Sequence, residues 1–96
     1  MKKNRIELIF DKEIVCLVGN PFGYSVYQEQ IKCKFDYGCI NIIVFPEQIN
    51  RVAISFMQGM MRDLLKKIPK NEILSRVEFE ASSKALVERI KERVVF

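Results

Sequence analysis

Histidine is absent from this 96-residue sequence. Its imidazole is the usual general base near neutral pH and the commonest transition-metal ligand. Its absence therefore excludes Ser-His, Cys-His and His-metal chemistry within one chain. We expect a protein that is not an enzyme and that holds no metal and no cofactor.

Cysteine is scarce and lacks a metal-binding pattern. Cys16, Cys33 and Cys39 are odd in number and form no Cys-x-x-Cys pair, which argues against a disulfide framework and against a zinc site. Because free cysteine is mostly buried, we interpret the three as buried thiols. The alternative is a thiolate nucleophile at Cys33 or Cys39, for which the chain supplies no activating histidine.

Long apolar runs are also missing. No run approaches the ~20 residues that span a bilayer. The basic start of the chain is followed by only five apolar-rich residues, 6–10, before the charged residues 11–13, which is too short for a signal-peptide core. We expect no membrane partner, a cytoplasmic location, and one domain over residues 1–96.

The net charge of +4 is modest and spread along the chain. Such an excess favours an acidic partner, but it is weaker than the focused basic stripe of a nucleic-acid binder. The alternative function is therefore a small basic mobile-element protein that binds nucleic acid or a host factor. Its basic patch would consist of Lys66, Lys67, Lys70, Lys84, Arg89, Lys91 and Arg93.

Hydrophobic periodicity predicts a small α/β sandwich with the element order ββαβαβα. Strands are expected at 5–10 and 14–18, paired as a hairpin, at 39–45, and within 73–80, most convincingly at 76–80. Helices are expected at 24–35, 53–68 and 82–94, the last capped by Ser82 or Ser83. The order strand, helix, strand around 24–35 predicts a parallel βαβ unit, so the sheet is expected to be mixed.

The predicted helix 53–68 has two different faces. Its apolar face comprises Ala53, Phe56, Met57, Met60, Met61, Leu64, Leu65 and Ile68. The opposite face comprises Ser55, Gln58, Gly59, Arg62 and Lys66. We expect Gly59 on this second face to let the backbone of a partner come close, at a cost of about 1 kcal/mol in helix propensity.

Ser55 lies in the first turn of this helix. The first-turn amides are unsatisfied and carry partial positive charge, so a phosphoryl group there would be stabilised and would add about two negative charges. A serine near a helix start is more commonly a simple cap. Both interpretations of Ser55 stay open at this point.

The stretch "INIIVFPEQINRVAISFMQGMMRDLL" resembles the STAS fold of anti-sigma factor antagonists, and especially the short bacterial STAS-like families. Typical members carry Asp-Ser-Ser-Gly at the start of this helix, and a partner kinase phosphorylates the second serine. Ser55 matches that serine in "VAISF". Ala53 stands in place of the aspartate, Ile54 in place of the first serine and Phe56 in place of the glycine. A Ser-Phe pair at this point is usual in the STAS-like families.

The resemblance implies a non-enzymatic regulatory module. By this resemblance, its partner is expected to be a regulatory protein such as a histidine-kinase-like (GHKL) ATPase, and Ser55 is expected to be its phosphorylation site. The expected partner-binding residues are Arg51, Ser55, Gln58, Gly59 and Arg62. A homodimer, through a sheet edge or through Val94, Val95 and Phe96, is left open.

Overall fold

The computed structural model describes residues 2–95. The strands are β1 (Lys3–Glu7), β2 (Cys16–Leu17), β3 (Ile40–Val44), β4 (Arg51–Val52) and β5 (Val77–Glu80). The helices are α1 (Asn20–Val26), α2 (Ile54–Lys67), α3 (Lys70–Arg76) and α4 (Lys84–Val95), and α1 continues as a π-helical segment, Tyr27–Ile31. The protein is a small α/β structure.

The strands form two parallel sheets. The larger has the order β1-β3-β5, with Ile43 of β3 opposite Ile6 on one side and Phe79 on the other. The smaller joins β2 to β4, with Leu17 opposite Val52. Parallel strands are usually covered on both faces, which agrees with the burial of Asn41, Ile42 and Ile43 in β3.

The predicted hairpin of residues 5–10 and 14–18 is wrong. β1 pairs with β3, and β2 pairs with β4. All strand pairs among residues 2–95 are parallel, so the expected mixed sheet is not formed. An apolar run shows that a strand is buried, but it carries no information on which strand lies beside it.

Helices α2 and α4 confirm the predictions for 53–68 and 82–94 to within about two residues. α2 ends where Ile68 turns extended ahead of Pro69, because the residue before a proline disfavours helical backbone. α4 is capped by Ser83, whose Oγ accepts a hydrogen bond from the Leu86 N–H at 3.1 Å. Val94 is buried in α4, whereas Phe96 lies outside the described residues.

Two short helices depart from the predictions. α1 begins at Asn20 rather than at 24, with Pro21 in its first turn, where proline is well tolerated. α3 occupies Lys70–Arg76, where the pattern had predicted the beginning of a strand. The predicted strand is confirmed only as β5. Apolar residues such as Ile73 and Leu74 fit either type of element when a segment is this short.

Candidate functional site

The beginnings of α1 and α2 lie side by side. The strands β2 and β4 run parallel and each leads directly into a helix. The Ala53 N–H donates to the Leu17 carbonyl at 2.8 Å, which extends the pairing to the first residue before α2. We call Val18, Gly19, Ile54 and Ser55 the junction, since they follow the two strands.

Ser55 joins the two helices at the junction. Its Oγ accepts a hydrogen bond from the Gly19 N–H at 3.0 Å, and its side chain is half-buried. Gly19 has φ 106°, a left-handed conformation that glycine adopts without steric cost. Ser55 is therefore not the N-cap of its own helix, a position that Ala53 occupies without a side-chain hydrogen bond. It satisfies the amide at the start of the neighbouring helix instead.

Gly59 is buried against α1, so the expectation that it faces a partner is wrong. A Cβ added to Gly59 would lie 2.0 Å from the Asn20 carbonyl oxygen, and one added to Gly23 would lie 2.1 Å from that of Phe56. The two glycines thus let the backbones of α1 and α2 touch. A backbone does lie close to Gly59, as predicted, but it belongs to α1 and not to a partner.

The other predicted partner-binding residues of α2 lie on its exposed side. Gln58 and Arg62 are exposed, and they line a groove of about 290 Å³ between α2 and the end of α4. The Arg62 guanidinium lies 3.8 Å above the centre of the Tyr24 ring, and its Nε is 3.7 Å from Asp63 Oδ1. Arg62 therefore borders both α1 and the groove.

Asp63 is a site feature that the sequence analysis missed. It accepts a hydrogen bond from the Tyr24 hydroxyl at 3.2 Å and lies 3.6 Å from the Lys66 ammonium. Burial alone would raise the pKa of Asp63, but the Tyr24 hydroxyl, Lys66 and Arg62 together hold that pKa below its usual value. The spacing of Asp63 and Lys66, at i and i+3, was the available signal.

Apolar side chains are exposed at the junction. Val18 is 57% exposed and Ile54 is 41% exposed, and the nearby Val15 is 42% exposed. Val18 ends the apolar run 14–18, which is typical of a buried strand, whereas Ile54 begins α2 outside the apolar face predicted for that helix. Their exposure places apolar surface on both sides of the Gly19–Ser55 hydrogen bond.

The cysteines are not buried, contrary to the prediction. Cys16 and Cys33 are exposed and Cys39 is half-buried, and all three are free thiols. The Cys39 thiol donates to Asp36 Oδ2 at 3.2 Å. That hydrogen bond raises the pKa of Cys39, so it opposes formation of a nucleophilic thiolate. No group of three or more metal-binding side chains comes together within residues 2–95.

The basic residues of the predicted patch have different surroundings, since some form ion pairs and others line a cleft. Lys66 pairs with Asp63, and Lys91 pairs with Glu88 at 3.4 Å. Arg89 and Arg93 instead line a cleft of about 390 Å³ beside β4, together with Arg51. Arg51 therefore lines the same cleft as two arginines of α4, and Ser55 is not among the residues that line it.

Two further observations bear on identity. None of the helices within residues 2–95 has the length and apolar content to cross a membrane. No family model, no curated protein and no solved structure matches this chain. The resemblance of the α2 region to STAS-like proteins stays a prediction.

Proposed function

We propose that this protein is a cytoplasmic, non-enzymatic regulatory module that docks another protein through the junction. The observation that carries the proposal is the exposure of Val18 and Ile54 on either side of Ser55. Apolar side chains at a surface gain about 25 cal/mol for each Å² that a partner covers. The half-buried Ser55 and the exposed Gln58 provide polar groups beside this apolar surface.

Phosphorylation of Ser55 is the proposed switch. The residue lies in the first turn of α2, where the helix dipole stabilises negative charge. A phosphoryl group would also place about two negative charges between Val18 and Ile54, which disfavours the burial of that surface by a partner. The sequence resemblance suggests a histidine-kinase-like ATPase as the partner and an arrangement of the STAS type for the fold.

The test compares wild type with three variants, Ile54→Glu, Ser55→Glu and the control Leu74→Glu, in the capture of proteins from the lysate of the native host. Ile54→Glu places a charge in the junction, and a glutamate at the first position of a helix is compatible with the helix dipole. Leu74→Glu is the matched control, because Leu74 is 38% exposed on α3. We expect a partner that wild type and Leu74→Glu retain and that Ile54→Glu and Ser55→Glu lose.

The intact mass of the recovered bait tests the switch separately. An added phosphate that is absent from Ser55→Ala bait assigns the modification to Ser55. Equal capture by Ile54→Glu and wild type would refute docking at the junction. Bait that carries no added phosphate in either the partner-bound or the unbound fraction would refute the switch but not the docking surface.

The alternative function, binding of nucleic acid, has less support. It requires a continuous basic surface along the backbone of the nucleic acid. Lys66 and Lys91 are already paired with carboxylates, and Arg51, Arg89 and Arg93 converge on one cleft. The absence of binding to a mixed-sequence oligonucleotide at low salt would reject this alternative.

A further inference from the structure

We propose that the cleft between β4 and α4 binds an oxyanion of the phosphate type, held by Arg51, Arg89 and Arg93. The cleft is lined by Asn50, Arg51, Val52, Leu86, Arg89 and Arg93. Neither Ile54 nor Ser55 lines it, so this site is independent of docking at the junction.

The two elements present their arginines to the cleft for simple geometric reasons. In β4 the side chains alternate, so Arg51 is exposed while Val52 is buried. In α4 the residues Leu86 and Ile90 are buried on the apolar face. Arg89 and Arg93 are four residues apart, which places them on the same side of the helix.

Within residues 2–95, no acidic side chain compensates the charge in the cleft. None of the described residues that line the cleft is acidic. Among residues 2–95, no carboxylate lies within 4.0 Å of a guanidinium nitrogen of Arg51, Arg89 or Arg93, whereas Arg5 on β1 pairs with Glu80 at 2.9 Å. Like charges at i and i+4 of a helix destabilise it. A bound anion would remove this repulsion.

The Nε of Arg93 gives an independent indication. It is buried, and it has no hydrogen-bond partner among the described residues. The Nη1 of the same side chain donates only a long bond, 3.4 Å, to the Arg89 carbonyl. Buried N–H groups almost always have an acceptor. The guanidinium fork matches two oxygens of a phosphate. Because Nε is enclosed, it would reach one of them only after the Arg93 side chain turns toward the cleft.

The size and the lining of the cleft indicate the class of ligand. A cleft of about 390 Å³ is in the range of small-molecule sites, ~300–1,000 Å³. Val52 and Leu86 provide an apolar wall, and Asn50 provides an amide. The cleft therefore suits free phosphate or the phosphoryl group of a small organic molecule.

The experiment follows the Nε–Hε resonances of the arginines by NMR during titration with sodium phosphate at constant ionic strength. We expect saturable shifts for Arg51, Arg89 and Arg93 and none for Arg5, whose guanidinium is paired. Sodium chloride should not reproduce them. A parallel titration with adenosine monophosphate distinguishes free phosphate from a phosphorylated small molecule as the ligand. If adenosine monophosphate binds more tightly than phosphate does, the ligand is a phosphorylated small molecule. If it binds equally or more weakly, the ligand is the free anion.

Substitutions test the assignment of residues. Arg89→Gln and Arg93→Gln should each weaken phosphate binding about tenfold, as expected for loss of a charge-assisted hydrogen bond. Arg93→Lys should weaken it less, because it keeps the charge without the fork. Arg76→Gln is the matched control, since Arg76 lies on α3 and donates to the Tyr37 carbonyl; it should bind phosphate as wild type does.

Three results would overturn the proposal. One is the absence of saturable shifts with both phosphate and adenosine monophosphate. Another is that Arg76→Gln weakens phosphate binding as much as Arg89→Gln does, while both variants unfold at the same temperature as wild type. The third is that a mixed-sequence oligonucleotide binds more tightly than phosphate, and that Lys66→Gln and Arg89→Gln weaken its binding equally. This result would indicate an extended nucleic-acid surface instead of a site in the cleft.

Discussion

The two sides of α2 are built in opposite ways. Toward α1, the backbones touch at Gly23 and Gly59, and the Ser55 hydroxyl joins the helix starts. Toward α4, Gln58, Arg62 and the α4 residue Arg93 border an open groove. The comparison shows that α1 closes the first side by direct packing, whereas the second side stays open to solvent.

The largest expected effect comes from the substitution Gly59→Ala. In an exposed helix this change would stabilise the protein by up to about 1 kcal/mol. Here the new Cβ would overlap the Asn20 carbonyl oxygen, so we expect destabilisation by about 2 kcal/mol, as for overpacked cores. Urea unfolding measures the change, and Gln58→Ala, on the open side of the same helix, should stay within about 0.5 kcal/mol. Stabilisation by Gly59→Ala would refute the close contact of α1 and α2.

A smaller effect is expected for Ser55→Ala. The Gly19 N–H would lose its acceptor, and a hydrogen bond of this type contributes about 1 kcal/mol. We expect two results in Ser55→Ala. Amide hydrogen exchange at Gly19 becomes faster, and the free energy of unfolding decreases. Ser75→Ala is the control, because the Ser75 hydroxyl donates to the Glu72 carbonyl at an exposed site. An unchanged exchange rate at Gly19 would mean that Ser55 does not join the helices.

The smallest effect is a change in pH dependence from Asp63→Asn. The native pKa of Asp63 lies below its usual value, so the unfolded chain binds the proton more tightly than the native protein does. This stabilisation is present above the unfolded pKa of about 3.9 and is lost as pH falls through the native pKa. The unfolding free energy should therefore decrease less steeply below about pH 4 in Asp63→Asn than in wild type.

Tyr24→Phe tests the same contact from α1. It removes the hydroxyl that donates to Asp63 and leaves the ring beneath Arg62. Its pH dependence should lie between those of wild type and Asp63→Asn. A wild-type profile for both variants would show that Asp63 does not link α2 to α1.

The sequence predicted the long helices well and the strand partners poorly. The spacing of Phe56, Met60 and Leu64 identifies α2, because a buried helical face repeats every three to four residues. Nothing local specifies that β1 pairs with β3, since Ile6 and Ile43 are far apart in the chain. Strand pairing depends on the path of the whole backbone.

Only part of the candidate site could be predicted from the sequence, because the rest depends on tertiary packing. Gln58 and Arg62 are exposed as expected, but the burial of Gly59 depends on a second helix that crosses at that residue. A glycine carries no hydrophobic signal, so its environment follows from tertiary packing alone. The convergence of Arg51 with Arg89 and Arg93 likewise depends on how α4 lies against β4.

The position of β3 between β1 and β5 has a consequence for biosynthesis. The chain emerges from the ribosome in sequence order, so β1 is available to β3 early, while the partner of Asn41 on the other side, Val77, follows only after α2 and α3. Until then β3 is an edge strand with unpaired backbone groups. Completion of the sheet, and with it the docking of α4, therefore waits until β5 and α4 have been synthesised.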